Sequence, residues 1–330
     1  MTPPAEPDPT VVSARPELGG GAATPSRRLP SGAASGLPGA PAPLRIGGRR
    51  FAWGERTFVM GILNVTPDSF SGDGLLAASD PVAAAVDQAR RMVDEGADLL
   101  DVGGESTRPG HAVIDADAEI ARVVPVIAAI RAVLPEVPIS VDTTKVPVAA
   151  AALDAGASLV NDIWGTATQD ELLGLSAERR APIVLMHNRS EPRYTNLLAE
   201  VIADLQSSID RALAAGVEWD AILVDPGFGF GKTADHNVAL LRDLAALRVL
   251  GRPILLGASR KSTLGKVLDL PGDERLEATL ATTALAAAAG VDIVRVHDVR
   301  ENVRAARMAD AVVRVAPRLD GPTSDGREAR

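Results

Sequence analysis

Cysteine is absent from all 330 residues. Disulfides, thiolate metal centres and cysteine nucleophiles are thereby excluded. Aromatic residues make up only 3% of the chain, so the core has to be built from aliphatic side chains. Histidine occurs four times, at 111, 187, 236 and 297, and never in the H-E-x-x-H spacing of a zinc hydrolase. No apolar run approaches the roughly 20 residues that a membrane span needs. The net charge of −9 argues against a general nucleic-acid binder.

Residues 1–43 are rich in Pro, Ala, Gly and Ser and carry almost no aliphatic periodicity. Such a segment buries too little apolar surface to offset its ordering entropy, so a disordered tail is expected there. It lacks the basic start and apolar core of a secretory signal, and Glu6, Asp8 and Glu17 argue against a transit peptide. Cytoplasmic placement is the expectation. A second tail is expected at 318–330, which leaves one domain at 44–317.

Within that domain a short β-branched apolar run is followed by a loop and then by an Ala/Leu/Arg segment of helical spacing. The pattern repeats eight times. The runs are 57–65, 97–104, 138–144, 158–165, 182–187, 221–227, 253–259 and 292–298. Near-continuous apolar strands alternating with amphipathic helices predict a parallel sheet covered by helices. Eight units over about 260 residues predict an α/β fold of the closed (β/α)8 TIM-barrel type. An open doubly wound sheet is the alternative, but no G-x-G-x-x-G opens a helix after the first run.

Each run ends in polar residues: Asn64, Asp101, Asp142, Asn161, His187, Asp225, Ser259, then Arg295 and His297. The N-terminal halves of the runs read as free of such groups. Burying so many polar groups at one end costs free energy unless a ligand or a network satisfies them. Barrel enzymes build their sites at that face. Arg295 and His297 are two apart and share one strand face. With an Asn and the Arg108-Pro109-Gly110 loop they suit an anion. Asp142, Asn161 and Asp225 form an acceptor-rich set that suits the edge of a flat heterocycle with several N–H donors.

Other stretches are less informative. DPGFGFGKT (225–233) resembles a phosphate-binding loop but has Pro226 where that loop needs glycine. Its glycines read as letting the backbone approach a ligand, with Phe228 and Phe230 as apolar walls. Lys261, in GASRKS, reads as a point charge at the mouth. His187 is read equally as a core or a site residue, and Trp164 as packing. Mg2+ held mainly by substrate phosphates needs only one or two protein oxygens, and Asn64 offers one.

Eight stretches, in order, carry a resemblance: GILNVTPDSFS, DVGGESTRPG, SVDTTK, NDIWG, LMHNR, DPGFGFGK, GASRKS and RVHD. The chain resembles the dihydropteroate synthases of folate biosynthesis, which are sulfonamide targets, and the resemblance covers essentially residues 50–315. The resemblance implies an enzyme that joins 6-hydroxymethyl-7,8-dihydropterin pyrophosphate to 4-aminobenzoate, releasing pyrophosphate. It implies SN1-like departure of pyrophosphate, then attack by the arylamine, with no nucleophile on the protein. On the family pattern Asp142, Asn161, Asp225 and Lys261 hold the pterin, with Met186 lining that pocket and Asp101 among the substrate-binding residues. Asn64, Arg295 and His297 hold the pyrophosphate, with Mg2+ at Asn64. Thr107 and Arg108 belong to the second loop. Phe230 and Ser262 flank the aminobenzoate, its carboxylate near the start of the helix after the seventh run. Asp142, Asp225, Lys261, Arg295 and His297 are the electrostatic groups. The resemblance also implies a homodimer with an interface among the later helices, and partners that are small-molecule substrates.

One departure concerns the first loop. The family usually reads SFSDGG where this chain has Ser69-Phe70-Ser71-Gly72-Asp73-Gly74, so the acidic residue is displaced by one. Two other readings share the ring pocket. A methyltetrahydrofolate-type methyltransferase is opposed by the anion set of Asn64, Arg108, Arg295 and His297. An inactive synthase paralogue is opposed by the presence of every carried-over residue.

Overall fold

The computed structural model describes residues 39–66, 80–106, 114–165, 170–271 and 274–314. Most of the expected 1–43 tail, all of 318–330, Asp73, Thr107 and Arg108 lie outside the described residues. The chain first forms a hairpin, β1 (Leu44–Ile46) and β2 (Arg49–Phe51), and then β3 (Phe58–Asn64). The further strands are β4 (Leu99–Gly103), β5 (Ile139–Asp142), β6 (Leu159–Asp162) and β7 (Ile183–Met186), then β8 (Ile222–Asp225), β9 (Leu255–Leu256) and β10 (Ile293–Val296). Each of the eight apolar runs contains one strand of β3–β10.

Among the described residues, β3–β10 form one parallel sheet in the order β8-β7-β6-β5-β4-β3-β10-β9. Its two edges meet at a parallel bridge between Val224 and Ile254, where Val224 N–H donates to Pro253 O at 3.0 Å. The sheet therefore closes, and the (β/α)8 barrel is the observed fold. Helices α1 (Pro81–Asp94), α2 (Ala116–Val133), α3 (Val146–Asp154), α4 (Asp170–Arg179), α5 (Leu197–Ala214) and α6 (Ala234–Arg242) follow β3–β8. After β9 the chain makes two helices, α7 (Ser262–Leu268) and α8 (Leu276–Ala289), where the repeat suggests one; α9 (Val299–Val313) follows β10. Helix starts follow capping chemistry: Asp80, Asp115 and Asn196 each accept an N–H from the first turn of α1, α2 and α5.

Strand alternation sorts side chains into two sets. Val59, Leu63, Leu100, Val102, Ile139, Val141, Val160, Ile183 and Leu185 pack outward against the helices. Phe58, Met60, Leu99, Leu159, Val184, Leu223, Leu255 and Ile293 form a separate cluster with Ile46, Phe51 and Trp53 of the hairpin segment. That second cluster fills the lower barrel, and the hairpin plugs its N-terminal end. The hairpin turns at Gly47 and Gly48, both at positive φ, as a two-residue turn between strands requires. Three of the chain's few aromatic residues meet in the plug. The Phe51 ring lies 5.5 Å from Trp53 and 4.8 Å from Phe58.

The N-terminal ends of the strands are not free of polar groups, contrary to the sequence reading. Asp98, just before β4, accepts from Arg49 and Arg56 at 2.6 Å each and from Val59 N–H at 3.0 Å. Asp292, just before β10, accepts from Gly54 N–H at 3.1 Å and Ile254 N–H at 3.0 Å. Asp310 of α9 accepts from the Thr57 N–H and hydroxyl. These buried acids stitch the hairpin segment to the barrel floor. Phe51 is fully buried, so Phe51→Ala is expected to lower the unfolding free energy by about 3–5 kcal/mol in denaturant titrations. A change under about 1 kcal/mol would show that the plug does not stabilise the barrel.

Candidate active site

Two residues further along each strand the barrel interior changes character. Above Leu99 stands Asp101, above Leu159 stands Asn161, above Leu223 stands Asp225 and above Ile293 stands Arg295. Strand register brings them level: Asp101 pairs with Ser140, Gly103 with Asp142, Asp142 with Asn161, and Met186 with Asp225. The apolar floor thus gives way to a ring of acceptors and cations at the C-terminal mouth.

Arg295 organises the ring. Its Nε donates to Asp101 Oδ2 at 2.5 Å and its Nη2 to Asp142 Oδ2 at 2.7 Å. Asn161 Nδ2 donates to the same Asp101 oxygen at 3.1 Å. The remaining oxygens, Asp101 Oδ1 and Asp142 Oδ1, are buried with no hydrogen-bond partner among the described residues. Burial pushes the Asp142 carboxyl up to about 7, with Asp101 adding to the effect and Arg295 opposing it. Burial pushes Asp225 up as well, against Lys261. Burial alone would lower Arg295, but Asp101 and Asp142 hold it above its ordinary value. A buried guanidinium between two carboxylates is thus a fixed charge, and the two free oxygens are poised acceptors.

Lys261 enters from the loop after β9. Its Nζ donates to Phe228 O and lies 4.3 Å from the centre of the Phe230 ring. Burial lowers its pKa to about 8, with Asp225 opposing. Arg260, just before it, has φ 56°, a conformation costly for a non-glycine residue. Its guanidinium pairs with Asp298 at 2.6 Å, which anchors the turn that aims Lys261 inward. Ser262 is exposed at the first position of α7. His297 lies on the Arg295 face, as alternation predicts. Ser259 Oγ accepts the His297 backbone N–H at 3.2 Å and lies 3.0 Å from Nδ1. That geometry suits a Ser259 hydroxyl donating to Nδ1, with the proton on Nε2. Asn64 is half-buried at the tip of β3, level with Gly103. Met186 is buried beside Asp225.

The structure bears on four further readings. Phe228 is fully buried in the cluster between barrel and helices, so it is not a wall of the site; Phe230 alone faces the mouth beside Lys261. The glycines of 225–233 make room for the chain itself. A Cβ on Gly227 would stand 1.8 Å from His187 O, one on Gly229 2.8 Å from Lys261 Cδ and one on Gly231 2.4 Å from Arg189 O. Trp164 is 39% exposed. His187 is fully buried, and its two ring nitrogens are taken up by Asp204 and Lys232, so it reads as a core histidine. Burial, with Lys232 beside it, lowers its pKa to about 4.

Two groups escaped the sequence reading. Lys145 ion-pairs with Glu105 and with buried Glu119 of α2, the latter at 2.6 Å, and Glu105 Oε1 accepts Ile114 N–H at 3.3 Å. Glu105 lies within one quoted stretch, DVGGESTRPG, and Lys145 ends another, SVDTTK, but nothing in their spacing pairs them. Lys232 is the second group; its Nζ lies 2.8 Å from His187 Nδ1.

Comparison with known proteins bears on the whole ring. A family model described as pterin binding enzyme matches residues 60–297. A dihydropteroate synthase of Clostridium beijerinckii is 47% identical over 272 residues, covering 82% of this chain and 100% of that relative. A structure of Xanthomonas albilineans dihydropteroate synthase with 4-aminobenzoic acid is 42% identical, with a TM-score of 0.78, and the match covers 84% of this chain and 100% of that one. A second structure of that enzyme, in complex with 7,8-dihydropteroate, is 40% identical with a TM-score of 0.75, the match covering 83% of this chain and 100% of that one. With a closed barrel, a ring of paired acids at its mouth and matches over nearly the full length of these relatives, the chain belongs to the pterin-binding enzymes and, among them, to the dihydropteroate synthases.

Proposed function

We propose that this chain condenses 6-hydroxymethyl-7,8-dihydropterin pyrophosphate with 4-aminobenzoate to give 7,8-dihydropteroate and pyrophosphate. The observation that carries the reading is the pair of buried carboxylate oxygens, Asp101 Oδ1 and Asp142 Oδ1, without a partner among the described residues. Leaving a buried acceptor unsatisfied costs about 1–3 kcal/mol, so the mouth is built for a ligand rich in N–H donors. A pterin has such an edge. Asp142, Asn161 and Asp225 would accept from it, Met186 would line the apolar side, and Lys261 would lie over the ring.

The pyrophosphate would stand above this set, nearer the strand tips. His297 would donate to it through Nε2, and Arg295 through the guanidinium face not engaged by Asp101 and Asp142. Asn64 is the strand-tip oxygen offered there, while Asp101 and Asp142 each give one oxygen to Arg295 and would keep the other for the ring. That donor set fits Mg2+ held chiefly by substrate phosphate oxygens, with Asn64 as the protein ligand. Bound there, Mg2+ would neutralise the leaving charge. Departure of pyrophosphate leaves positive charge on the pterin methylene, which Asp142 and Asp225 would stabilise electrostatically. The neutral arylamine then attacks, held between Phe230 and Ser262, and needs no strong base from the protein. Thr107 and Arg108 of the second loop would contact the pyrophosphate and the aminobenzoate. The base of that loop has a visible support: Glu105, fixed by Lys145, bonds to Ile114 at its far end.

Purified chain, expected to be a dimer through α8 and α9 where Leu285, Met308 and Val312 are exposed, should release pyrophosphate when given Mg2+ and both substrates. Intact pterin binding without turnover would favour an inactive paralogue. Asp225→Asn should weaken pterin affinity roughly ten- to hundredfold, the loss of one charge-assisted pair; unchanged affinity by calorimetry would remove Asp225 from the ring-reading set.

A further inference from the structure

The lysine of the glycine-rich stretch has no place in the reaction as described so far. In a phosphate-binding loop that lysine would reach out to a ligand. Here Lys232 folds back onto its own loop. Its Nζ donates to Gly227 O at 3.1 Å and to Phe230 O at 3.1 Å, and lies 2.8 Å from His187 Nδ1. An ammonium has three N–H donors, and these three acceptors use all of them.

The acceptor on the ring is itself held in place. His187 Nε2 lies 3.1 Å from Asp204 Oδ2, and Arg189 pairs with the same oxygen at 2.7 Å. With Nε2–H donating to Asp204, Nδ1 is the acceptor that Lys232 requires. The buried histidine stays neutral at physiological pH, in keeping with its lowered pKa.

The two carbonyls that Lys232 engages belong to one turn, closed by Phe230 N–H donating to Gly227 O at 3.0 Å. Other groups pin the rest of the turn. Asn237 Oδ1 accepts Gly229 N–H at 2.7 Å, and Lys261 donates to Phe228 O from the opposite side. Phe228 is sunk in the core, so Phe230 is the side chain of this turn that faces the mouth, with its ring against Lys261. Moving the Phe230 carbonyl moves that ring.

We propose that Lys232 is a positioning residue for the arylamine substrate: seated on Gly227, Phe230 and His187, it fixes the turn that presents Phe230 beside Lys261 and so shapes the aminobenzoate subsite. The ring-reading acids stand on strands, and of them Asp225 touches this turn, accepting Gly227 N–H at 2.7 Å. The inference rests on the synthase reading, because it assigns the face of Phe230 to aminobenzoate.

The test is steady-state kinetics on full-length variants, after turnover of the parental chain is established. A parental chain without turnover would sink the synthase reading, whereas the variants judge Lys232 within an active enzyme. Lys232→Met should raise the KM for 4-aminobenzoate about tenfold, with kcat and the calorimetric affinity for the pterin pyrophosphate within about twofold of the parent. His187→Leu, which removes the ring acceptor, should shift the same KM in the same direction by roughly two- to fivefold. His187→Asn, whose amide oxygen stands near the place of Nδ1, should leave it close to the parental value. If Lys232→Met does not fold, the two His187 variants decide the matter. An unchanged aminobenzoate KM in Lys232→Met or His187→Leu would overturn the proposal. So would parallel losses in pterin affinity, aminobenzoate KM and kcat, which mark general loosening rather than positioning.

Discussion

The guanidinium of Arg295, held between Asp101 and Asp142, is the interaction on which the mouth of the barrel depends. Three acids and an amide converge in a space closed below by apolar side chains. Burial raises the Asp142 and Asp225 carboxyls, and Arg295 opposes that rise in both. Arg295 donates to one oxygen of each neighbouring carboxylate, and the other oxygen is buried without a partner among the described residues. Breaking such a buried pair by removing one partner typically costs about 3–5 kcal/mol. The arrangement is therefore rigid before any ligand arrives. That is the condition under which fixed charges help a cation form at a reacting carbon.

The two ends of the barrel use the same chemistry for different ends. At the floor, Asp98 is saturated by two arginines and a backbone N–H, and Asp292 takes a backbone N–H on each oxygen. At the mouth, Asp101 and Asp142 are only half used among the described residues. Both sets are buried acids at strand ends, so burial and residue type do not separate structure from function here. Hydrogen-bond completeness together with place does: Glu119 of α2 also keeps an oxygen unbonded among the described residues, but only Asp101 and Asp142 combine such an oxygen with a place in the mouth, where a ligand can use it. The loop after β8 follows the same rule, since the lysine that sits in a phosphate-loop-like stretch spends all its donors on protein acceptors.

Much of this was legible in the sequence because it rests on local repetition. Eight apolar runs ending in polar residues carry their polarity and alternation in short stretches, and these place Asp101, Asp142, Asn161, Asp225, Arg295 and His297 on the interior at one end. Pairings across the barrel are another matter. Arg295 and Asp101 are 194 residues apart, and no periodicity links them. The same holds for Lys145 with Glu105 and Lys232 with His187. The floor hairpin was missed for a different reason. Its Gly-Gly turn between LRI and RRF is a recognisable hairpin signal, but it lies where the composition of the preceding tail obscures it. Phe228 and Phe230 look equivalent in sequence, and only the turn geometry sends one to the core and the other to the mouth.

The most direct test of the central claim is a crystal structure of this chain with 7,8-dihydropteroate bound. The account predicts that N–H groups of the pterin ring lie within hydrogen-bond distance of the free oxygens of the acid ring, Asp142 Oδ1 foremost. It also predicts that Arg295 keeps both of its carboxylate partners. A pterin seated away from those oxygens, or an Arg295 that has left Asp101 and Asp142 to reach the ligand, would contradict it.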